Sequence, residues 1–157
     1  MGSDDDAEKA RLQVFLSYGR RDAAVVADEV AGFLVTEGFR VWRDRPEIKP
    51  GMPFLEEIEA AIHASDVVVA LLSPHSVRRA GDADALDSVC LDELSFARFS
   101  KPARPIVPAM AVACDPPMVI YRQDYVDLTK KAERAQALSR LRDGIADALE
   151  GRVRYRS

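Results

Sequence analysis

Apolar residues along this chain alternate between short unbroken runs and longer stretches with a helical repeat. "QVFLSY" (Gln13–Tyr18) is short, apolar and rich in β-formers, and it stops at "GRRD", so it predicts a buried strand. Asp22 stands where it can cap a helix running from Ala23 to Glu37. Apolar positions recur there at Val26, Val30, Phe33 and Leu34, and Gly38 is a suitable terminator. "RVWRD" (Arg40–Asp44) predicts a second short strand. In "RPEIKPGMPF", Pro50-Gly51 suits the centre of a type II turn and Pro53 the first turn of a helix. That helix sets Phe54, Leu55, Ile58, Ala61 and Ile62 on one face, with Glu56 and Glu57 near its positive end. "DVVVALLS" (Asp66–Ser73) is an unbroken apolar run bounded by polar residues, as expected of a strand covered on both faces. A polar loop, "PHSVRRAGDADALD", leads to a helical pattern in "SVCLDELSFARF" (Ser88–Phe99). "RPIVPAMAV" (Arg104–Val112) is a further strand, in which Pro105 and Pro108 are tolerable near an end or an edge. "YVDL" is a short last strand, and "AERAQALSRLRDGIADALEG" closes the pattern as an amphipathic helix.

Strands linked by helical crossovers give an α/β fold with a parallel sheet and helices on both faces. In such folds ligands bind beyond the carboxyl ends of the strands. The segments to watch are therefore "GRRD", "RDRPEIKPGMPF" and "SPHSVRR". Neither an internal repeat nor a low-complexity segment interrupts the order.

Composition narrows the function classes. The 157 residues suit one domain, long enough to bury roughly 70% of the surface of the unfolded chain. A formal net charge of −4 argues against a general nucleic-acid binder, whose footprint would be basic. Cys90 and Cys114 form no disulfide framework and no secretory signal is recognisable, so a reducing cytoplasm is the expected compartment. Val67–Leu72 is too short an apolar run to span a bilayer. "MGSDDD" opens residues 1–11 as a tag or disordered tail, and "GRVRYRS" reads as the start of a linker to a further domain.

The nucleotide motifs with the clearest spacing are missing: there is no G-x-G-x-x-G after the first strand and no G-x-x-x-x-G-K-[ST]. His63 and His75 are isolated and lack metal-ligand spacing, so no metal site is expected. A receiver-type phosphoacceptor would need acidic residues where the first strand ends, and this one ends in Gly19, Arg20 and Arg21. Those arginines, beside a glycine that lets backbone approach closely, suit an anion; a solvated basic turn pairing with Asp22 is the alternative. Glu93 raises a sharper question. On a helix its neighbours are Val89, Cys90, Phe96 and Ala97, none of them charged. A carboxylate on such an apolar arc is partly desolvated unless a ligand or partner compensates it. The alternative is a rim position paired with a distant arginine. Asp92, close to Phe96 and Phe99, shows that the arc alone is not unique. Cys90, one turn from Glu93, reads as either a reactive thiol or a buried structural cysteine.

Taken in order, "VFLSYGRRD", "GFRVWRDRPEIKPGMPFLEEIEAAIHASDVVVALLSPHSV", "SVCLDELSFA" and "RPIVPAMAV" resemble the Toll/interleukin-receptor (TIR) domain family, with wording closest to its bacterial members. The likeness covers residues 12–151. It implies a flavodoxin-like three-layer sandwich with a five-stranded parallel sheet, and a loop, 45–54, through which TIR domains associate with one another. Enzymatic members cleave NAD⁺ into nicotinamide and ADP-ribose or a cyclic isomer. Glu93 matches their essential glutamate. Tyr18, Gly19, Arg20, Asp44, Lys49 and Phe54 match their nucleotide pocket, and Arg21 adjoins it. NAD⁺ is then a substrate, and no cofactor is implied. One departure stands out: many active members carry Trp four residues before the glutamate, where this chain has Val89. Stacking on a base would then fall to Tyr18, Trp42 or Phe54. The resemblance implies an NAD⁺ glycohydrolase switched on by self-association, an effector of bacterial antiphage defence joined to a sensor or oligomerisation domain. Its alternative is a non-catalytic scaffold that recruits other TIR domains. Neither nucleic acid nor membrane is an expected partner.

Overall fold

The computed structural model describes residues 12–43, 54–74, 76, 97, 104–116 and 124–150. Strand β1 (Gln13–Ser17) leads into helix α1 (Arg20–Thr36) and strand β2 (Arg40–Arg43). Helix α2 (Phe54–Ala64) precedes β3 (Val67–Leu72), then come β4 (Ile106–Met110) and β5 (Val126–Asp127). A 3-10 turn at Lys131–Glu133 leads into helix α3 (Arg134–Leu149). The five strands form one sheet in the order β2-β1-β3-β4-β5, and every pairing is parallel. This is the flavodoxin-like order.

The period-2 geometry of a strand divides the core into two layers. Val14 and Leu16, then Val67, Val69 and Leu71, turn to the side covered by α1 and α3. Phe15, with Val68, Ala70 and Leu72, turns to the other side, where Ile62 of α2 and Ala97 are buried. All six residues of β3 are buried, as expected of a central strand covered on both faces. Each fully buried side chain of this size stabilises the fold by roughly 1.5–3 kcal/mol relative to exposure. Along α1, Val30 and Leu34 carry that burial. Gly38 ends the helix at φ 97°, a left-handed position that favours glycine.

Two details differ from the sequence expectation. Asp22 does not cap α1. The helix begins three residues earlier than expected, with Gly19 extended at its N-cap (φ −80°, ψ 120°) and the Gly19 carbonyl accepting the Ala23 N–H at 3.0 Å. An extended glycine fits the N-cap without any side-chain signal, whereas Asp22 in the first turn gains from the helix dipole without being the cap. Pro108 is also not terminal: it is the third of five residues in β4, a strand flanked on both sides. Alternation explains why it is tolerated. Val68 N–H bonds the Pro105 carbonyl and Ala111 N–H bonds that of Leu72, so odd positions of this strand face β3. Met110 accepts from Leu128, so even positions face β5. The donor that Pro108 lacks therefore points towards β5, whose register begins only at Ala109.

On the α1–α3 face the two helices run parallel. Glu29 and Glu37 of α1 pair with Arg134 and Arg142 of α3, at 2.6 and 3.3 Å, so each partner advances by eight residues. Among the described residues no helix is long and apolar enough to cross a membrane.

Candidate functional site at the strand carboxyl ends

The chain leaves β1 towards β2 on one side and returns through α2 to β3 on the other, so β1 and β3 are neighbours with diverging connections. Such a switch point opens a crevice beyond the carboxyl ends of the two strands. At this place β1 runs through Tyr18 and Gly19 into α1, and β3 runs into Ser73, Pro74 and Ser76.

Gly19 is buried in the junction between the two loops. A Cβ on it would lie 2.9 Å from the Ser76 amide nitrogen, 3.0 Å from Asp22 Oδ1 and 3.0 Å from Ser73 Oγ. The close backbone approach that this glycine permits is therefore, in the first place, to the turn after β3. That turn is held by its own serines. The Ser73 N–H donates to Ser76 Oγ at 2.9 Å, the Ser76 N–H donates to Ser73 Oγ at 3.2 Å, and the Ser76 hydroxyl donates to the Ser73 carbonyl at 3.1 Å. Both serines are buried, and each buried polar group has a partner, as stability requires. Sequence inspection marked the segment "SPHSVRR" without singling out Ser73 and Ser76. The available signal was a Ser-x-x-Ser spacing directly after a strand, where hydroxyls close local turns.

Arg20 and Arg21 are the first two residues of α1, not members of a loop. The first amides of a helix have no acceptor within it, and the dipole favours an anion there. The arginine side chains lie outside the described residues, as does the Phe54 side chain, although Phe54 opens α2. Asp44, Lys49 and Glu93 lie outside them altogether, and so do His75 and Cys90. The nearest described residue to Glu93 is Ala97, which is helical and fully buried against the α2 side of the sheet.

Two of the aromatic candidates, Tyr18 and Trp42, lie on opposite sides of the sheet. Tyr18 continues the alternation of Val14 and Leu16 and packs, half-buried, on the α1–α3 side. Trp42 lies on the opposite side, stacked on Phe15 with ring centroids 4.8 Å apart and 14° between the planes. One face of the indole is thus committed to the core.

Cys114, four residues beyond the end of β4, is half-buried, and its thiol is 3.6 Å from Met110 Sδ. Burial, followed by the carboxylates of Asp115 and Asp22, raises its pKa to about 11. His63 is exposed near the end of α2, at the opposite edge of the sheet. Among the described residues no group of three or more His, Cys, Asp and Glu could hold a metal ion.

The family profile described as "TIR domain" matches residues 14–142. No curated protein sequence matches the chain. Among solved structures, it is similar to the TIR domain of the Toll-related receptor TRR-2 from the lower metazoan Hydra magnipapillata. The two are 21% identical, with a TM-score of 0.65 over 85% of this chain and 97% of that one. It is also similar to the TIR domains of the activated Roq1 resistosome directly recognizing the pathogen effector XopQ. Identity there is 20% and the TM-score 0.51, over 89% of this chain and 76% of that one. At these identities the likeness speaks for the fold alone. With the profile spanning β1 to the middle of α3, the chain belongs to the TIR domain family.

Proposed function

We propose that this TIR domain is an NAD⁺ glycohydrolase, activated by self-association, that works as an effector module in bacterial antiphage defence. The observation that carries this reading is Glu93 within "SVCLDELSFA", in a chain of a family that includes both NAD⁺-cleaving and scaffold forms. Support comes from the switch point, where the two arginines open α1 beside the tightly packed Gly19. The Roq1 TIR domains belong to an activated resistosome, which is in keeping with activation by assembly; residues 45–54 are the surface proposed for it.

The chemistry needs few groups. In NAD⁺ the nicotinamide nitrogen is cationic, so the bond from ribose C1′ can break with its electron pair leaving on a neutral nicotinamide. Positive charge then develops on the ribose, as in other glycosyl transfers. A carboxylate held in a water-poor pocket opposes that charge at no cost of reorganisation, which is the role given to Glu93. Arg20 and Arg21 hold the pyrophosphate by charge-assisted hydrogen bonds, with Lys49 as a further cation. Tyr18, Gly19, Asp44 and Phe54 complete the nucleotide pocket. Water adds to C1′ and releases a proton to give ADP-ribose; capture by an adenine nitrogen gives the cyclic isomer.

The test is nicotinamide release from NAD⁺ by protein clustered on a surface or fused to an oligomer, for wild type and Glu93→Ala. Release by the wild type alone supports the enzyme. Equal release by both removes Glu93 from the mechanism. Silence from both, with intact association, leaves a scaffold for other TIR domains.

A further inference from the structure

The amino end of the sheet carries a junction of its own, opposite the switch point. The chain leaves α2 there through Ser65 and Asp66, and both are tied to Gln13, the first residue of β1. The Gln13 side-chain amide donates to Ser65 Oγ at 3.2 Å, and its backbone N–H donates to Asp66 Oδ2 at 2.8 Å. The Asp66 N–H in turn donates to the Gln13 carbonyl at 2.8 Å. The last carbonyls of a helix have no partner within it, and the dipole favours a cation beside them. In α2, Ala61 accepts from the Ser65 hydroxyl at 2.6 Å and Ile62 from the Ser65 N–H at 3.0 Å, both local bonds. His63 is served from far along the chain. Arg104, two residues before β4, donates to the His63 carbonyl from Nη2 at 2.7 Å and to the Ser65 carbonyl from Nε at 2.8 Å. Arg104 is itself held at the sheet: its N–H donates to the Ala97 carbonyl at 2.8 Å, and the adjoining Pro105 carbonyl accepts the Val68 N–H at 2.9 Å.

The helices described are not held alike. Within residues 59–64, where the side chains of α2 are described, Ala61 and Ile62 are the buried ones. Helix α1 buries Ala23, Ala27, Val30 and Leu34, α3 buries Ala137, Leu141, Ile145 and Ala148, and two ion pairs join these helices. With 11 residues against 17 and 16, α2 is also shorter than both, at a length where a helix depends on its packing. We propose that α2 is a separately opening unit of the fold, with Ser65 and Asp66 as its hinge and the Arg104 guanidinium as its latch. The bonds to Gln13 lie beyond the helix and survive its opening, whereas the bond to the His63 carbonyl does not. Arginine suits the latch better than lysine. Its planar fork offers Nε and Nη2 to two carbonyls at fixed spacing, whereas an ammonium on a flexible stem is a single point of attachment. Phe54 both opens α2 and ends the segment 45–54, so the latch sets how often that end of the segment is released. The inference stands apart from NAD⁺ cleavage and concerns the fold alone.

The test is amide hydrogen exchange of the full chain, followed residue by residue by NMR in rising, sub-denaturing urea. In the wild type, the amides of residues 59–64 are expected to exchange about tenfold faster than those of β3, or more. Their urea dependence should also be weaker, because opening α2 exposes less surface than unfolding the domain. Arg104→Met should speed exchange in α2 by about 10–100-fold through the loss of charge-assisted hydrogen bonds, and Arg104→Lys by less. Ile145→Val, in the layer on the α1–α3 side, separates local from global opening. It should speed exchange in β3 by about 2–10-fold and leave α2 unchanged, since Ile145 stays packed while α2 is open. Equal rates and equal urea dependence for α2 and β3 in the wild type would mean that α2 opens only with the whole domain, which overturns the proposal. So does an α2 unmoved by Arg104→Met, or one accelerated by Ile145→Val as much as β3.

Discussion

Replacing Gly19 by alanine tests the loop junction at the switch point. Its backbone angles, φ −80° and ψ 120°, are open to any residue, so backbone strain drops out and only the space for a methyl group matters. That methyl would meet the Ser76 nitrogen at 2.9 Å, where ordinary contact begins at 3.4 Å, so the turn after β3 must withdraw by about 0.5 Å. Asp22 can rotate its side chain away, but the Ser76 nitrogen is backbone and can move only with the loop. Ser73 cannot rotate freely either, because its Oγ accepts the Ser76 N–H. Overpacking of this kind costs about 1–3 kcal/mol, offset by about 0.4–1 kcal/mol from the lower entropy of the unfolded chain. The net loss is about 1–2 kcal/mol, a fall of about 3–8 °C in Tm for a domain of this size. Gly32→Ala is the paired control: it lies inside α1 with nothing within 4 Å of the added carbon. There the substitution should gain about 0.5–1 kcal/mol from helix propensity. Urea unfolding followed by circular dichroism gives both values. If Gly19→Ala proves as stable as wild type, or Gly32→Ala falls by as much, contact at the junction is not what demands the glycine.

Two further outcomes follow from the titrating groups. Cys114, raised from 9.0 to about 11, should react with iodoacetamide near pH 8 about 100-fold more slowly in the folded protein than after denaturation, from its smaller thiolate fraction. Mass spectrometry that resolves Cys114 from Cys90 reads this; equal rates would show an accessible thiolate. The stability sign follows: this group's contribution is present below pH 9 and lost as pH rises towards 11, because the folded thiol keeps its proton longer. Asp127 goes the other way. Its Oδ1 accepts from the Thr129 hydroxyl at 2.6 Å and the Thr129 amide at 2.9 Å, and these bonds lower its pKa below 3.8. The benefit is therefore present above that value and lost as pH falls through the lowered one. Thr129→Val should move the Asp127 carboxyl signal upwards in an NMR titration; an unmoved midpoint would exclude the hydroxyl as the leading cause.

Local pattern accounts for most of the fold because burial follows periodicity. The unbroken run in β3, the apolar stripe of α1 and the paired Ala61 and Ile62 of α2 each occupy the layer that their spacing assigns. Periodicity fails where the cause is not local. Gly19 carries no capping signal of its own, so the nearby aspartate drew the helix boundary towards itself. Pro108 is acceptable only because β5 starts beside the next residue, a fact of pairing between segments nearly twenty residues apart. The site divides in the same way. Motif order placed Tyr18, Gly19, Arg20 and Arg21 at the end of β1. No spacing rule could reveal that the room above Gly19 is taken by Ser76, 57 positions later, or that Arg104 reaches back 39 and 41 positions to the end of α2. Such contacts form only once the crossovers have stacked the strands. They sit at the two ends of the same sheet, one packing the loops after β1 and β3 together and the other tying the end of α2 to the start of β4. A substitution at either end therefore disturbs packing between segments far apart in the sequence, which no local pattern reports.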